Sequence, residues 1–114
     1  MRKVINIGGV DVAFKASAAT TIKYRNKFGE DMIKEMTKIY AEYKDGNVTA
    51  YSAETLEIFF KLAYIMAKQA NPDIADDPDE WLDGFDIFPI NVVFPQIMDL
   101  WQDSLQTTEV TKKA

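Results

Sequence analysis

The chain has no cysteine and no histidine in 114 residues. Without cysteine there is no disulfide, no thiolate nucleophile and no sulfur-bound structural zinc. This usage is compatible with a reducing compartment. Without histidine, the usual proton shuttle near neutral pH and the commonest metal ligand are missing. Uninterrupted apolar runs are also lacking. Lys61, Lys68, Pro95 and Asp99 break them, so no segment is expected to span a bilayer. The start, Met1-Arg2-Lys3-Val4-Ile5-Asn6, carries no long apolar stretch of the secretory kind. The expectation is a soluble, intracellular protein.

Positive charge is scarce in the second part of the chain. Residues 71–114 hold two basic and ten acidic groups, against eleven and eight in residues 1–70, for a net charge of −5. General nucleic-acid binding needs a cationic surface, so that class is disfavoured. The acidic half can steer a basic protein partner. Solvated loop charge and helix capping account for the same residues.

What the chain does contain is apolar side chain. An apolar fraction of 47% in 114 residues fits one globular domain. Val4-Ile5-Asn6-Ile7 and Val10-Asp11-Val12-Ala13-Phe14 flank Gly8-Gly9, the pattern of a β-hairpin over about residues 3–15. Val10, Val12 and Phe14 alternate with Asp11 and Ala13, which predicts one buried face. The rest reads as four to five helices, giving a mainly α (α+β) fold in one compact domain over 1–106.

Ser17 is a candidate cap for a helix ending at Phe28, with Gly29 placed to stop it. A second helix is expected from about Glu30 to Tyr43, with Met32, Met36, Ile39, Tyr40 and Tyr43 on one stripe. Lys44-Asp45-Gly46-Asn47 reads as a turn. Ser52 can cap a third helix, 53–70, closed by Asn71-Pro72. Asp77-Pro78-Asp79-Glu80 opens a short helix carrying Trp81, Leu82 and Phe85. The last helix is expected from near Phe88 to Leu105. Pro95 interrupts its hydrogen bonding to Asn91. Residues 107–114 are polar and without period, so a flexible tail is expected there. No internal repeat is visible.

Two of these helices, 56–70 and 90–105, are apolar on more than one face. Such a helix is either central in a core or covered by a partner. Met32, Met36, Met66 and Met98 can fill gaps in a core.

Chemistry-bearing sets are absent. Asp73, Asp76, Asp77, Asp79, Glu80, Asp83 and Asp86 crowd one stretch, but their spacing lacks the calcium-loop frame, and capping explains them. Gly8-Gly9 is followed by no helix and no Gly-Lys-Ser/Thr, so it is no phosphate loop. Lys23, Tyr24, Arg25 and Lys27 form a spot too small for a nucleic-acid track. No nucleophile–base pair is in view, so no enzyme, metal or cofactor is expected.

One block stops looking generic. Phe14-Lys15-Ala16-Ser17 leads to Tyr24-Arg25-Asn26-Lys27-Phe28-Gly29-Glu30-Asp31. It resembles the opening of the tail assembly chaperones of phages and prophages of Gram-positive bacteria. That family has a β-like start and a Tyr-Arg-x-x-Phe-Gly-x-Asp stretch, matched here by Tyr24, Arg25, Phe28, Gly29 and Asp31. A long apolar helix follows, here around Phe59-Phe60-Lys61-Leu62-Ala63-Tyr64. An acidic segment with a Trp-Leu pair comes next, here Trp81-Leu82, then a final helix and a lysine-ending tail at Lys112-Lys113. The order of these motifs covers nearly the whole chain.

The resemblance implies a viral protein acting in the host cytoplasm and absent from the mature virion. Such chaperones bind the helical tape measure protein, keep it soluble and recruit tail tube subunits. Many are made in two lengths by ribosomal frameshifting, and this chain would be the short product. Phe59, Phe60, Tyr64, Phe94, Ile97 and Trp101 are the expected apolar contact surface, for a client or for self-association. The alternatives are a small structural or adaptor protein of the tail, or an acidic inhibitor of a host nucleic-acid-binding protein.

Overall fold

The computed structural model describes residues 1–42 and 52–113. The chain opens with two antiparallel strands, β1 (Arg2–Ile7) and β2 (Val10–Lys15). Their register pairs Ile5 with Val12 and Ile7 with Val10. Gly8 and Gly9 make the turn with φ of 58° and 92°. Two consecutive positive φ angles match the right-handed twist of the strands, and glycine adopts them without steric cost. The N-terminal ammonium of Met1 donates to the Ala16 carbonyl, and the Ala16 amide donates back to Met1, which extends the ladder.

One face of the ribbon is buried, as the alternation predicts. Ile5, Ile7 and Phe14 are enclosed and Val12 is half-buried. Val10 departs from the pattern, with 51% of its surface open, although its cross-strand partner Ile7 is fully enclosed.

Five helices follow among the described residues: α1 (Thr20–Phe28), α2 (Met32–Glu42), α3 (Ala53–Ala70), α4 (Pro78–Asp83) and α5 (Ile90–Lys113). The start of α1 corrects the sequence expectation. Ser17 does not cap it directly; Ala19 holds the cap position without a side-chain bond. Ser17 Oγ instead accepts from the Ala19 amide, while Thr20 Oγ1 accepts from the Ser17 amide. Gln69 completes this knot, accepting from Thr20 Oγ1 at 2.7 Å and donating to Ser17 Oγ at 3.1 Å. The hydroxyls that could have capped a helix tie its entry to the end of α3. Gly29, with φ of 72°, ends α1 through a bond from its amide to the Arg25 carbonyl.

Helix α2 starts two residues later than expected, because Asp31 is its cap and not its first turn. Asp31 Oδ1 accepts from the amides of Ile33 and Lys34. Met32, Met36 and Ile39 form its buried stripe, and Tyr40 is exposed. Tyr43 and the expected turn 44–47 lie outside the described residues.

Helix α3 begins where expected, with Ser52 Oγ accepting from the Thr55 amide. It is the centre of the molecule, touched by β2, α1, α2 and α4. That position explains its all-round apolar surface: from Leu62 to Ala67 every residue is buried. Helix α4 takes Asp77 as its cap and Pro78 in its first turn, as its sequence dictates.

Helix α5 carries Pro95 and buries Val93, Phe94, Ile97, Met98, Leu100 and Trp101. It runs to Lys113, eight residues past the expected end, so the helix covers most of the segment expected to be a tail (107–114). No glycine or proline lies between Leu105 and Lys113 to stop it. Among the described residues no helix is long and apolar enough to cross a membrane. The Cα radius of gyration is 13.9 Å, close to the roughly 13 Å of a compact chain this long. Hairpin and helices therefore form one body.

Candidate functional site

The six apolar residues expected at a contact surface do not stay together on the outside. Phe59, Phe94 and Ile97 are 0% exposed, Tyr64 1% and Trp101 4%. These five are core, which corrects the expectation. The cause is the arrangement around α3. Phe59 stacks against Phe94 at a ring separation of 4.9 Å. Tyr64 meets Trp81 at 5.9 Å, and its hydroxyl donates to the Ala75 carbonyl at 2.6 Å. Helix α4 and the segment after it bring Trp81 against Tyr64 and Phe88 against Phe59 and Phe60 of α3, with Phe85 packed on Trp81 and Phe88. Counting helices in the sequence gives no sign of that cover.

Phe60 is the exception. It is half-buried, with its ring edge against Phe88 at 5.4 Å, and its remaining surface forms a wall of an open cleft. This cleft, 580 Å³ in volume, lies between the end of α1, the first half of α3 and the start of α4. Phe28, Leu56, Phe60, Pro78 and Leu82 give it an apolar lining. Each of these five is half-buried, so the core has not claimed them fully. Glu57, Asp77 and Asp79 stand at the cleft with Lys61 as the one base among its lining residues. Lys61 Nζ lies 3.5 Å from Glu57 Oε1 and 5.3 Å above the Phe28 ring centroid. The cleft is therefore a greasy floor with a mostly negative rim.

The resemblance motif has a local physical account. Tyr24 is buried, packs edge-on to Phe28 at 5.0 Å and donates to Glu35 Oε1 at 3.4 Å. Burial first, and the Glu35 carboxylate second, push its hydroxyl pKa well up. Gly29 stops α1 and Asp31 starts α2, so the stretch from Tyr24 to Asp31 is a corner between two helices. Arg25 is exposed, and its carbonyl accepts the stop bond from Gly29. Trp81 anchors α4 against Phe14 and Tyr64. Phe28 from the first motif and Leu82 from the Trp-Leu pair meet in the cleft. Nothing in their sequence positions announces that meeting.

A second cleft of 410 Å³ lies between α1, α3 and residues 71–77, with Lys23, Lys27 and Lys68 among its lining residues. Two of these lysines are already engaged. Lys68 Nζ donates to the carbonyls of Pro72 and Ile74 and to Asp76 Oδ1, all within 2.8 Å, and Lys27 Nζ donates to the Asp76 carbonyl at 2.6 Å. The Lys68 bond holds the Asp76 carboxyl below its ordinary range and raises Lys68. This cleft clamps the loop that delivers Asp77 and Pro78 to the first one.

Among the described residues no group of three acidic side chains is placed to hold a metal ion, and no buried side-chain polar atom lacks a partner. No family model, curated protein or solved structure matches the chain.

Proposed function

We propose that this chain is a non-enzymatic tail assembly chaperone of a phage or prophage, acting in the host cytoplasm as the short product of a frameshifted gene. It binds the tape measure protein, keeps it soluble and recruits tail tube subunits, and it leaves before the virion is complete. The observation that carries the reading is the cleft walled by Phe28, Leu56, Phe60 and Leu82, which gives an amphipathic helix a place to seat its apolar stripe. The order of sequence motifs that resembles this family supports it independently.

The modest size of the cleft suits the role. One groove of 580 Å³ takes a few side chains from each client helix. Contacts that small fall with transient interfaces and not with permanent ones. A tape measure protein repeats such helices, so many copies of the chaperone can coat it while each remains easy to release.

Co-expression with the matching tape measure protein tests the proposal. The wild-type chain is expected to move the client from the pellet to the soluble fraction. Phe60→Glu, which places a charge in the groove wall while Phe59 keeps the core, is expected to abolish that rescue. A client that stays insoluble with wild-type protein, or stoichiometric presence of this chain in purified particles, overturns the assignment.

A further inference from the structure

The rim of the Phe60 cleft says more about its occupant than its floor does. Three carboxylates, Glu57, Asp77 and Asp79, face one ammonium, Lys61. Glu57 is 70% exposed at its side chain, and Asp79 is exposed in the first turn of α4. Asp77 already accepts from the Asp79 amide as the helix cap. Glu57 and Asp79 stand on opposite lips, one on α3 and one on α4.

The cleft also holds a small internal example of what it can bind. The Lys61 ammonium lies over the Phe28 ring and pairs with the Glu57 carboxylate at the same time. A cation held between an aromatic face and a carboxylate is the contact that a lysine or arginine from another chain would make on the other lip.

We infer that the cleft selects amphipathic helices whose apolar stripe is flanked by lysine or arginine, and discriminates against stripes flanked by acids. The inference rests on the docking role proposed above for this groove and names the chemistry of the partner. A helix laid along the groove seats its stripe on Phe28, Phe60 and Leu82. Residues on either side of that stripe then fall against Glu57 and Asp79. Basic flanks complement both lips, and acidic flanks bring like charges together. Exposed pairs are individually weak, so two of them support a preference of roughly tenfold at low salt. At about 1 M salt the screening length shrinks to ~3 Å and the preference fades.

The test uses two synthetic helices of about five turns, ~18 residues, with identical leucine stripes, one flanked by lysine and one by glutamate. Titration calorimetry with the full chain is expected to give roughly tenfold tighter binding of the lysine-flanked peptide, and less difference in high salt. Glu57→Gln combined with Asp79→Asn is expected to bring the two affinities within about twofold of each other, because it removes the charge and keeps the shape. Phe60→Glu is expected to remove binding of the glutamate-flanked peptide altogether. Tryptophan emission from buried Trp81 and Trp101 confirms that each variant is folded. Equal affinity of wild-type protein for the two peptides overturns the inference. So does a lysine preference untouched by the neutralising pair, which would place binding elsewhere on the acidic surface. If the peptide preference holds while the tape measure protein is not rescued, the chaperone assignment falls and the selectivity stands. Rescue with no peptide preference gives the reverse.

Discussion

Phe59 and Phe60 are neighbours in the chain with opposite fates, and truncating each separates core from groove. Phe59 has no exposed surface and packs against Phe94 and Phe88. Phe59→Ala leaves a closed cavity, which costs about 3–5 kcal/mol. A domain of 114 residues has a total stability of roughly 6–17 kcal/mol at ~0.05–0.15 kcal/mol per residue, so the loss takes a substantial share of the total. Phe60 is half-buried and faces an open cleft, so Phe60→Ala loses part of a transfer term of about 1.5–3 kcal/mol and leaves no sealed void. About 1 kcal/mol is expected. With a urea slope of about 2 kcal/mol per M, the unfolding midpoint falls by ~2 M for Phe59→Ala and by ~0.5 M for Phe60→Ala. Buried Trp81 and Trp101 supply the fluorescence signal. Client binding should rank the two the other way. Loss of an aromatic anchor from a docking groove costs ~2 kcal/mol, or roughly thirtyfold in Kd for a tape measure fragment. Equal destabilisation by the two variants would show that the Phe60 ring belongs to the core. Unchanged client affinity in a folded Phe60→Ala protein would show that the groove is not the contact.

The hairpin turn offers a paired test. A Cβ on Gly8 would lie 2.7 Å from the Ile87 carbonyl oxygen, whereas a Cβ on Gly9 would meet nothing within 4 Å. Both alanine variants carry the positive-φ cost of about 1–2 kcal/mol, and Gly8→Ala adds an overpacking cost of about 1–3 kcal/mol. Chemical denaturation should resolve that gap, and equal losses would mean that the turn does not press on residues 84–89. Tyr24 gives a pH signature. Its hydroxyl pKa is raised in the folded protein above the ordinary 10.0, so the unfolded chain ionises first. Its contribution is intact below pH 10.0 and is lost as pH rises beyond it. Tyr24→Phe should flatten the alkaline fall in stability by up to one proton, and an unchanged slope would show that burial does not hold this hydroxyl neutral.

The hairpin, the cap of α3 and the opening of α4 were legible because each is decided within a few residues. Gly8-Gly9, Ser52 and Asp77-Pro78 set backbone angles and satisfy amides without help from distant parts of the chain. The start of α1 was not legible, because Ser17 and Thr20 spend their hydroxyls on Gln69, more than forty residues away. The sequence also shows two helices, 56–70 and 90–105, that are apolar on more than one face. Which of their apolar side chains remain open was a tertiary decision. Phe59 is covered by Phe94 of α5 and by Phe88, and Tyr64 by Trp81 of α4; the placing of α4 beside α3 also sets Leu82 in one cleft with Phe28 and Phe60. Periodicity reports which face of a helix is apolar. Only the packing of one element on another determines which apolar face is left for something else.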